Sequence, residues 1–554
     1  MTTEHLLAGT SPPTDEPTSI LSQSAAQSAR RGTVVFLAGL SVLYLLLTTA
    51  IVFAVDRFWS ANWDVEIFLG AARSFYDGGS VFDLYQKSRA AFPWPYPYPP
   101  LYALLLVPLV WLADLPAVAA AAPWAPLLAV RVPVVLADIG IAVLLYAIVI
   151  QQTGTRWLAR LAAAAWLFTP ILFYQTAIQA HQESIWLLPT LAAYTLLERR
   201  QPRQRWLAGL LLAVAVCLKQ SAVIYVVPFG LFLLWQRCWR DLVIFAALFV
   251  VLFGGLALPF ALYSGDFVHM VFQDVPNMPV QTQSWVPWLL TFKPYLLEQT
   301  RSTFALIRYA SLITLGAAGL LSLIGLARQL SWYALGLVLT LVFFLLSQKV
   351  MAYHYPMLVP WLLATWLPAR RLKVVTLLLV WTSWIVVSPY FAPWANPAHL
   401  PFYAVLGTLN SLLFLALLAA TLVLAPRPRR ESLPGEGDVA HRMVGWLSLL
   451  GLGFLLASLA HPLTTLRPES GTDRVLLVAG LLLLVLVLTV ALWTPVARGA
   501  AHLLELPAGE TRLRLNRRLV GAALVFAPLF FTWFTMTAEI TKVIEKGLQA
   551  AWGL

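Results

Sequence analysis

Residues 30–56 read RRGTVVFLAGLSVLYLLLTTAIVFAVD, and this stretch decides the fold. From Thr33 to Val55 no charge interrupts the apolar run, and a helix crosses a bilayer in about 20 such residues. Arg30 and Arg31 stand directly before it, so the basic flank keeps the N-terminus in the cytoplasm and the helix is retained. Ahead of it, Met1 to Ala29 is rich in Ser, Thr, Pro, Ala and Gln and lacks the basic-then-apolar order of a secretory leader. Residues 1–32 are therefore expected to be a disordered cytoplasmic tail.

The rest of the chain repeats this pattern. Of 554 residues 60% are hydrophobic and only 11% charged, against about 25% charged in a soluble protein. The composition predicts an all-α polytopic membrane protein with about 17 transmembrane helices. They run from 33–55, 99–113, 116–130, 132–150, 160–174 and 184–197 to 443–460, 475–493 and 519–538. The net charge of +12 has no large basic cluster on a folded polar domain to go with it, so a nucleic-acid partner is not implied. Two cysteines, Cys217 and Cys238, exclude a disulfide scaffold and the usual zinc spacings.

Alternation of the spans sorts the basic residues. Roughly 23 of the 37 Lys and Arg fall in segments assigned to the cytoplasm, with about 11 acids, as the positive-inside rule requires. The excess charge thus reports the orientation of insertion, and the plasma membrane is the expected location. Two long loops, 56–98 and 263–304, lie on the other face, and long polar and aromatic connections are where function concentrates. An extracytoplasmic site is expected.

In the first loop, apolar residues at 67, 68, 71, 72, 75 and 76 recur at helical spacing. They predict a short amphipathic surface helix that stops at Gly78-Gly79. Asp64 and Glu66 stand at its start. Locally they read equally as a helix cap with a favourable first-turn acid, or as a carboxylate held at the membrane surface to act as a general base. The segment Pro93-Trp94-Pro95-Tyr96-Pro97-Tyr98-Pro99-Pro100 follows. Its prolines forbid a helix and enforce a stiff extended path. Trp94, Tyr96 and Tyr98 then form either an interfacial aromatic belt or a platform for a sugar ring or isoprenoid chain.

Further polar residues gather on the same face. His181, Gln182 and Glu183 lie between two apolar spans, and Lys219 interrupts another apolar run, where it either snorkels or meets a lipid phosphate. Ser347 to Pro356 places Lys349, His354 and Tyr355 in one compact turn. Arg301 stands in the second loop, where it can meet an anionic headgroup. Arg131 and Asp138 are seven residues apart, two turns along one helix face, and read as a structural pair or a pathway group. No metal cluster of convincing spacing is visible, although Asp64 and Glu66 with other acids leave a divalent cation possible. There is no Gly-rich phosphate loop and no nucleotide-binding fingerprint.

Together these motifs resemble the GT-C superfamily of polytopic glycosyltransferases, most closely the polyprenol-phosphate-mannose-dependent mannosyltransferases of family 87 and the first mannosyltransferase of GPI-anchor assembly. The resemblance is carried by Asp64-Val65-Glu66, Ala71-Ala72-Arg73, Gly78-Gly79, Tyr85, Tyr96-Pro97-Tyr98-Pro99-Pro100-Leu101, and Gln348-Lys349-Val350 followed by His354-Tyr355. Glu66 stands where the family motif has a second Asp, and Gln348 and His354 where it has Asn and Gln. The resemblance covers residues 33–368, which it marks as a GT-C-like catalytic module, with 369–554 as additional helices. It implies transfer of a hexose, mannose, with inversion, from a polyprenyl-phosphate sugar in the bilayer to an acceptor hydroxyl; a lipid or glycan acceptor is expected, and a protein acceptor stays open on the sequence. In that reading Asp64 is the base and Glu66 supports it. Lys219, Lys349, His354 and Arg301 hold the donor phosphate, and Trp94, Tyr96, Tyr98, His181, Gln182, Glu183 and Tyr355 form a platform for sugar or lipid. The rival from another class is a polytopic transporter or lipid flippase, for which repeats and ionisable groups at mid-membrane are the marks.

Overall fold

Apolar runs fold as helices because, in lipid, a helix satisfies its own backbone polar groups. The computed structural model describes residues 18–56, 63–91, 96–199, 201–274, 281–282, 309–347, 349–385, 400–465, 471–507, 521–526 and 529–531. Among them, seven helices are long and apolar enough to cross a membrane. The number is eight if the bent pair Arg156–Leu167 and Pro170–Ile178 forms one span. The chain is a multi-pass, all-α membrane protein. The expected tail up to residue 17, Trp94, Arg301 and most of the second long loop and of the last expected span lie outside the described residues.

The first described helix, α1 (Thr18–Asp56), takes in residues 18–32, so that part of the expected disordered tail is helical. Residues through Leu46 form one compact unit and Leu47–Leu554 the other. Within the second unit the first loop folds as expected at its start. The surface helix α2 (Trp63–Arg73) is followed by a turn in which Gly78 and Gly79 take φ of 93° and 85°, left-handed values that glycine adopts without strain. A short α3 (Leu84–Ala91) comes next.

The following segment corrects the expected topology. Residues 116–130 and 132–150 are not two spans: Pro116–Ala121 is a single short helix, α5, and Ala125–Thr153 is one continuous helix, α6, that includes Pro133. Phe53, near the end of α1, packs edge-on against Trp124 at the start of α6, with ring centroids 5.2 Å apart. These two ends therefore share one membrane face. The helix between them, α4 (Pro100–Asp114), does not carry the chain to the other side. Its first turn meets α2 where Phe68 packs on Tyr102 at 5.0 Å. Its last residue, Asp114, accepts Arg73 Nε and Nη2, each at 2.8 Å, and Tyr76 OH at 2.6 Å. The two helices lie side by side, tied at both ends to the first loop, which extends from Asp56 to Trp124. Two expected crossings disappear together, and Asp114 stands with the first loop through Arg73 and Tyr76.

Beyond α6 the chain enters α7 (Arg156–Leu167), bends by 40° at Thr169-Pro170 into α8 (Pro170–Phe173), and widens into a π turn over Tyr174–Ile178. Helices α9 (Glu183–Glu198), α10 (Arg205–Leu218), α11 (Val223–Trp235), α12 (Trp239–Phe249), α13 (Gly255–Tyr263), α14 (Ala310–Ala327), α15 (Trp332–Leu346), α16 (Leu358–Thr365), α17 (Leu372–Ile385), α18 (Leu400–Leu424), α19 (Glu436–Ala460) and α20 (Gly471–Leu503) follow. The core between α9, α11, α15 and α16 is aromatic. Tyr225 stacks on Trp361 at 5.7 Å and Tyr194 packs against both. Trp361 fills the space where a Cβ of Gly336 would stand, so that close approach requires glycine. Two two-residue strands, β1 (Gln281–Thr282) and β2 (Lys349–Val350), pair in parallel and bring the second loop onto the turn after α15.

Candidate active site

Period decides which side chains of α2 reach the interior. Asp64 and Phe68 are four residues apart and share a face. Phe68 is fully buried against Tyr98, Tyr102 and His181, at 6.1, 5.0 and 6.4 Å between ring centroids. Asp64, half-buried, stands one turn before it, and its charge acts on Tyr98, Tyr353 and His181. Glu66 lies about 200° round the helix from Asp64 and is exposed. The structure thus parts the two acids, which corrects the expectation of a cooperating pair.

The centre of the site is Glu183, expected as part of a platform and found instead as a buried carboxylate to which several groups converge. After the π turn the chain reverses at Ala180, whose φ is 51°, and α9 starts at Glu183, where an acid suits the helix N-terminus. One carboxylate oxygen, Oε2, accepts Trp186 Nε1 at 2.6 Å. The other, Oε1, is ion-paired with Lys219, lies 3.3 Å from His181 Nδ1 and 3.6 Å from His354 Nε2. Lys219 reaches it because the backbone turns extended at the end of α10. The ammonium also stands 5.4 Å above the Tyr98 ring, in cation–π range.

Three further contacts fix this arrangement. Tyr98 OH meets His181 Nε2 at 3.3 Å, and Tyr353 stacks on the other side of that imidazole, 3.9 Å away and 21° from parallel. Gln220 Nε2 donates to Pro97 O at 2.8 Å, tying the Lys219 turn to the proline-rich segment. The Met351 N–H donates to His354 Nδ1 at 2.9 Å. A ring nitrogen that accepts carries no proton, so neutral His354 holds its proton on Nε2, the atom that faces Glu183.

The electrostatics follow from this crowding. Burial alone would raise the Glu183 carboxyl; the Lys219 ammonium, His181 and His354 outweigh it and hold the group well below the usual carboxylate range. Burial, then the Lys219 charge, lowers His181 below its ordinary 6.5, so this imidazole is neutral at neutral pH. Burial raises the Tyr98 phenol, reinforced by Tyr353, Asp64 and Glu183. Burial followed by the Asp64 and Glu183 charges does the same to Tyr353.

Other expected site residues stand apart. Tyr96 is fully buried, with its hydroxyl on Pro99 O and its ring beside Tyr85 at 6.1 Å, so it is a support for the proline-rich segment and not an open platform. Tyr355 is also fully buried, turned away from Glu183 between Phe344 and Phe414. Gln182 is buried at 2% exposure, and neither amide atom has a hydrogen-bond partner among the described residues. The Lys349 backbone pairs with Gln281, while its side chain, like Trp94 and Arg301, lies outside what is described. Asp138 is buried and accepts Thr176 Oγ1 at 2.8 Å, and Arg131 caps the π turn by donating to Ala177 O at 2.9 Å. Among the described residues no group of three His, Cys, Asp or Glu side chains could hold a metal ion. Phe68, Trp186 and Tyr353 were missed as site residues. Tyr353 had a signal in its place between Lys349 and His354.

Residues 125–262 match the family described as dolichyl-phosphate-mannose-protein mannosyltransferase. That stretch holds His181, Gln182, Glu183 and Lys219, while Asp64, Tyr98 and His354 join from outside it. The crystal structure of ArnT from Cupriavidus metallidurans in the apo state is a structural match at 12% identity and a TM-score of 0.38, over 92% of this chain and 78% of that one. No curated protein matches the chain. The motifs of the first loop and the match over residues 125–262 agree: this multi-pass membrane protein resembles the GT-C glycosyltransferases, with a segment similar to the dolichyl-phosphate-mannose-protein mannosyltransferases.

Proposed function

We propose that the protein is a membrane glycosyltransferase that moves a hexose, mannose, from a polyprenyl-phosphate sugar to an acceptor hydroxyl on a lipid or glycan. The reaction would take place at the extracytoplasmic face of the plasma membrane. The observation that carries this reading is the gathering of His181, Lys219 and His354 on Glu183, with Asp64 near enough for its charge to act on His181, inside a chain similar to mannosyltransferases over residues 125–262. The orientation rests on the basic residues, and the substrate's lipid tail requires a site where helices meet a loop.

In this reading the Asp64 carboxylate takes the proton of the acceptor hydroxyl. The acceptor oxygen bonds to the anomeric carbon as the bond to the phosphate oxygen breaks, and the electron pair leaves with the phosphate. A single displacement inverts the anomeric centre. The departing phosphate gains a negative charge, so donors placed beforehand stabilise the transition state more than the ground state. Lys219 has three ammonium hydrogens and Glu183 engages one side of it. Its remaining hydrogens and the Nε2 proton of His354 are the donors we assign to the phosphate, with Lys349 and Arg301 as further cations. Glu183 keeps these groups at fixed positions by its charge. Gln182, whose buried amide no described residue engages, is assigned to a sugar hydroxyl.

The test uses purified protein in lipid with labelled polyprenyl-phosphate mannose and native membrane extract, followed by identification of the labelled product. Asp64→Asn, inserted and folded as the wild type, should lower transfer about 10²- to 10⁴-fold, the usual contribution of a general base. Wild-type transfer in that variant would remove the base assignment. Movement of the sugar lipid across sealed vesicles with no covalent product would favour the transporter reading instead.

A further inference from the structure

The helices after residue 368 carry none of the recognised motifs, yet one of them reaches the candidate site. Asn410 sits in the middle of α18 with no exposed surface. An amide at that depth in an apolar helix is costly unless bonded, and both of its ends are engaged. An indole nitrogen only donates, so Trp381 Nε1 of α17, 2.7 Å away, fixes Oδ1. The Nδ2 end then donates to the Tyr355 hydroxyl at 3.1 Å. One turn along the same face of α18, Phe414 packs on the Tyr355 ring at 5.9 Å, and Phe344 of α15 closes from another side at 4.9 Å.

Tyr355 is the last of three consecutive residues whose side chains divide between two tasks. Tyr353 stacks on His181, and His354 presents Nε2 to Glu183 at 3.6 Å. All three belong to one tight 3₁₀ turn, Ala352–Met357, so fixing one side chain fixes the register of the others.

We propose that Asn410 is a positioning residue for this site. Through Tyr355 it sets where His354 and Tyr353 stand against Glu183 and His181, which makes α17 and α18 part of the catalytic unit and moves that unit's boundary past residue 368. Only the kinetic half of the test rests on the transferase reading.

Asn410→Leu removes both amide atoms at similar volume, and Tyr355→Phe removes only the oxygen to which Asn410 donates, a milder change if the first variant folds poorly. In the full-length protein in lipid, diethyl pyrocarbonate labelling read by mass spectrometry compares His354 with His441 on α19. His354 labelling should rise several-fold in each single variant and no further in the double variant, with His441 unchanged. With labelled polyprenyl-phosphate mannose, kcat/KM should fall roughly tenfold to a hundredfold, the order expected for displacing a reacting group by about 1 Å. The double variant should again be no worse than Asn410→Leu, as for two residues acting through one contact. Unchanged His354 labelling in both single variants would overturn the proposal, and so would faster labelling with unaltered transfer. If the wild type transfers no mannose, the transferase reading fails, while the labelling still decides whether Asn410 positions His354.

Discussion

Two buried ion pairs mark opposite ends of the bent segment between Arg156 and Ile178, and they are built differently. At one end Arg370 donates Nη1 to Glu436 at 2.5 Å, Nη2 to Thr155 Oγ1 at 2.9 Å and Arg430 O at 3.1 Å, and Nε to Arg429 O at 3.2 Å. The guanidinium fork is spent on acceptors that do not titrate or move, apart from one carboxylate, and joins three chain segments. At the other end Glu183 draws in an ammonium, two imidazoles and an indole. Lysine is a point charge with rotatable donors, and imidazole changes protonation near neutral pH. The first pair is a latch; the second is assembled from groups that can hand over protons and hydrogen bonds.

The sharpest way to break this contrast is to neutralise each acid. Glu183→Gln leaves Lys219 buried beside a neutral amide, and loss of one partner of a buried pair costs about 3–5 kcal/mol. It should lower the melting temperature in detergent and abolish the proposed sugar transfer even where the protein remains folded. Glu436→Gln should cost less, about 1–3 kcal/mol, because Arg370 keeps its oxygen acceptors. Transfer per folded molecule should stay at the wild-type level. A Glu436→Gln enzyme as impaired in turnover as Glu183→Gln would end the distinction between latch and reactive cluster.

The smallest effect concerns pH. His181 is buried facing Lys219, Glu183, Asp64 and Tyr98, and its pKa lies below the ordinary 6.5. Between that lowered value and 6.5 the unfolded chain binds a proton that the folded chain resists, so stability falls as the pH drops through this window. Denaturation midpoints measured across it should show that slope, and His181→Gln should flatten it. An unaltered slope in the variant would assign the titration to another group.

Much of this molecule was legible in its sequence because hydropathy is local. The α2 surface helix, its glycine stop and the apolar helices all follow from residues within one or two turns. The error over residues 99–150 arose where locality fails: Pro116 and Pro123 break the apolar run, Pro133 does not, and only the contacts of Phe53 with Trp124 and of Arg73 with Asp114 show which face the ends occupy. The site was legible as an inventory but not as an arrangement. His181, Glu183, Lys219 and His354 were all visible as polar residues in loop-face turns. That Glu183 is the common partner depends on contacts such as the one with Lys219, 36 positions away, which no period encodes. Asn410 did have a signal, since a buried amide within a span needs an explanation in itself.

The latch face also sets a timetable. Arg160 of α7 donates to the carbonyl of Leu503, 343 residues later, and pairs with Glu505 at 2.8 Å. At synthesis rates of about 5–20 residues per second, that separation means roughly 20–70 seconds between the emergence of one partner and the other. During this interval α7 is already in the membrane while its final neighbour has not been made. The contact between α7 and the end of α20 therefore forms late, only after the C-terminal helices have been made.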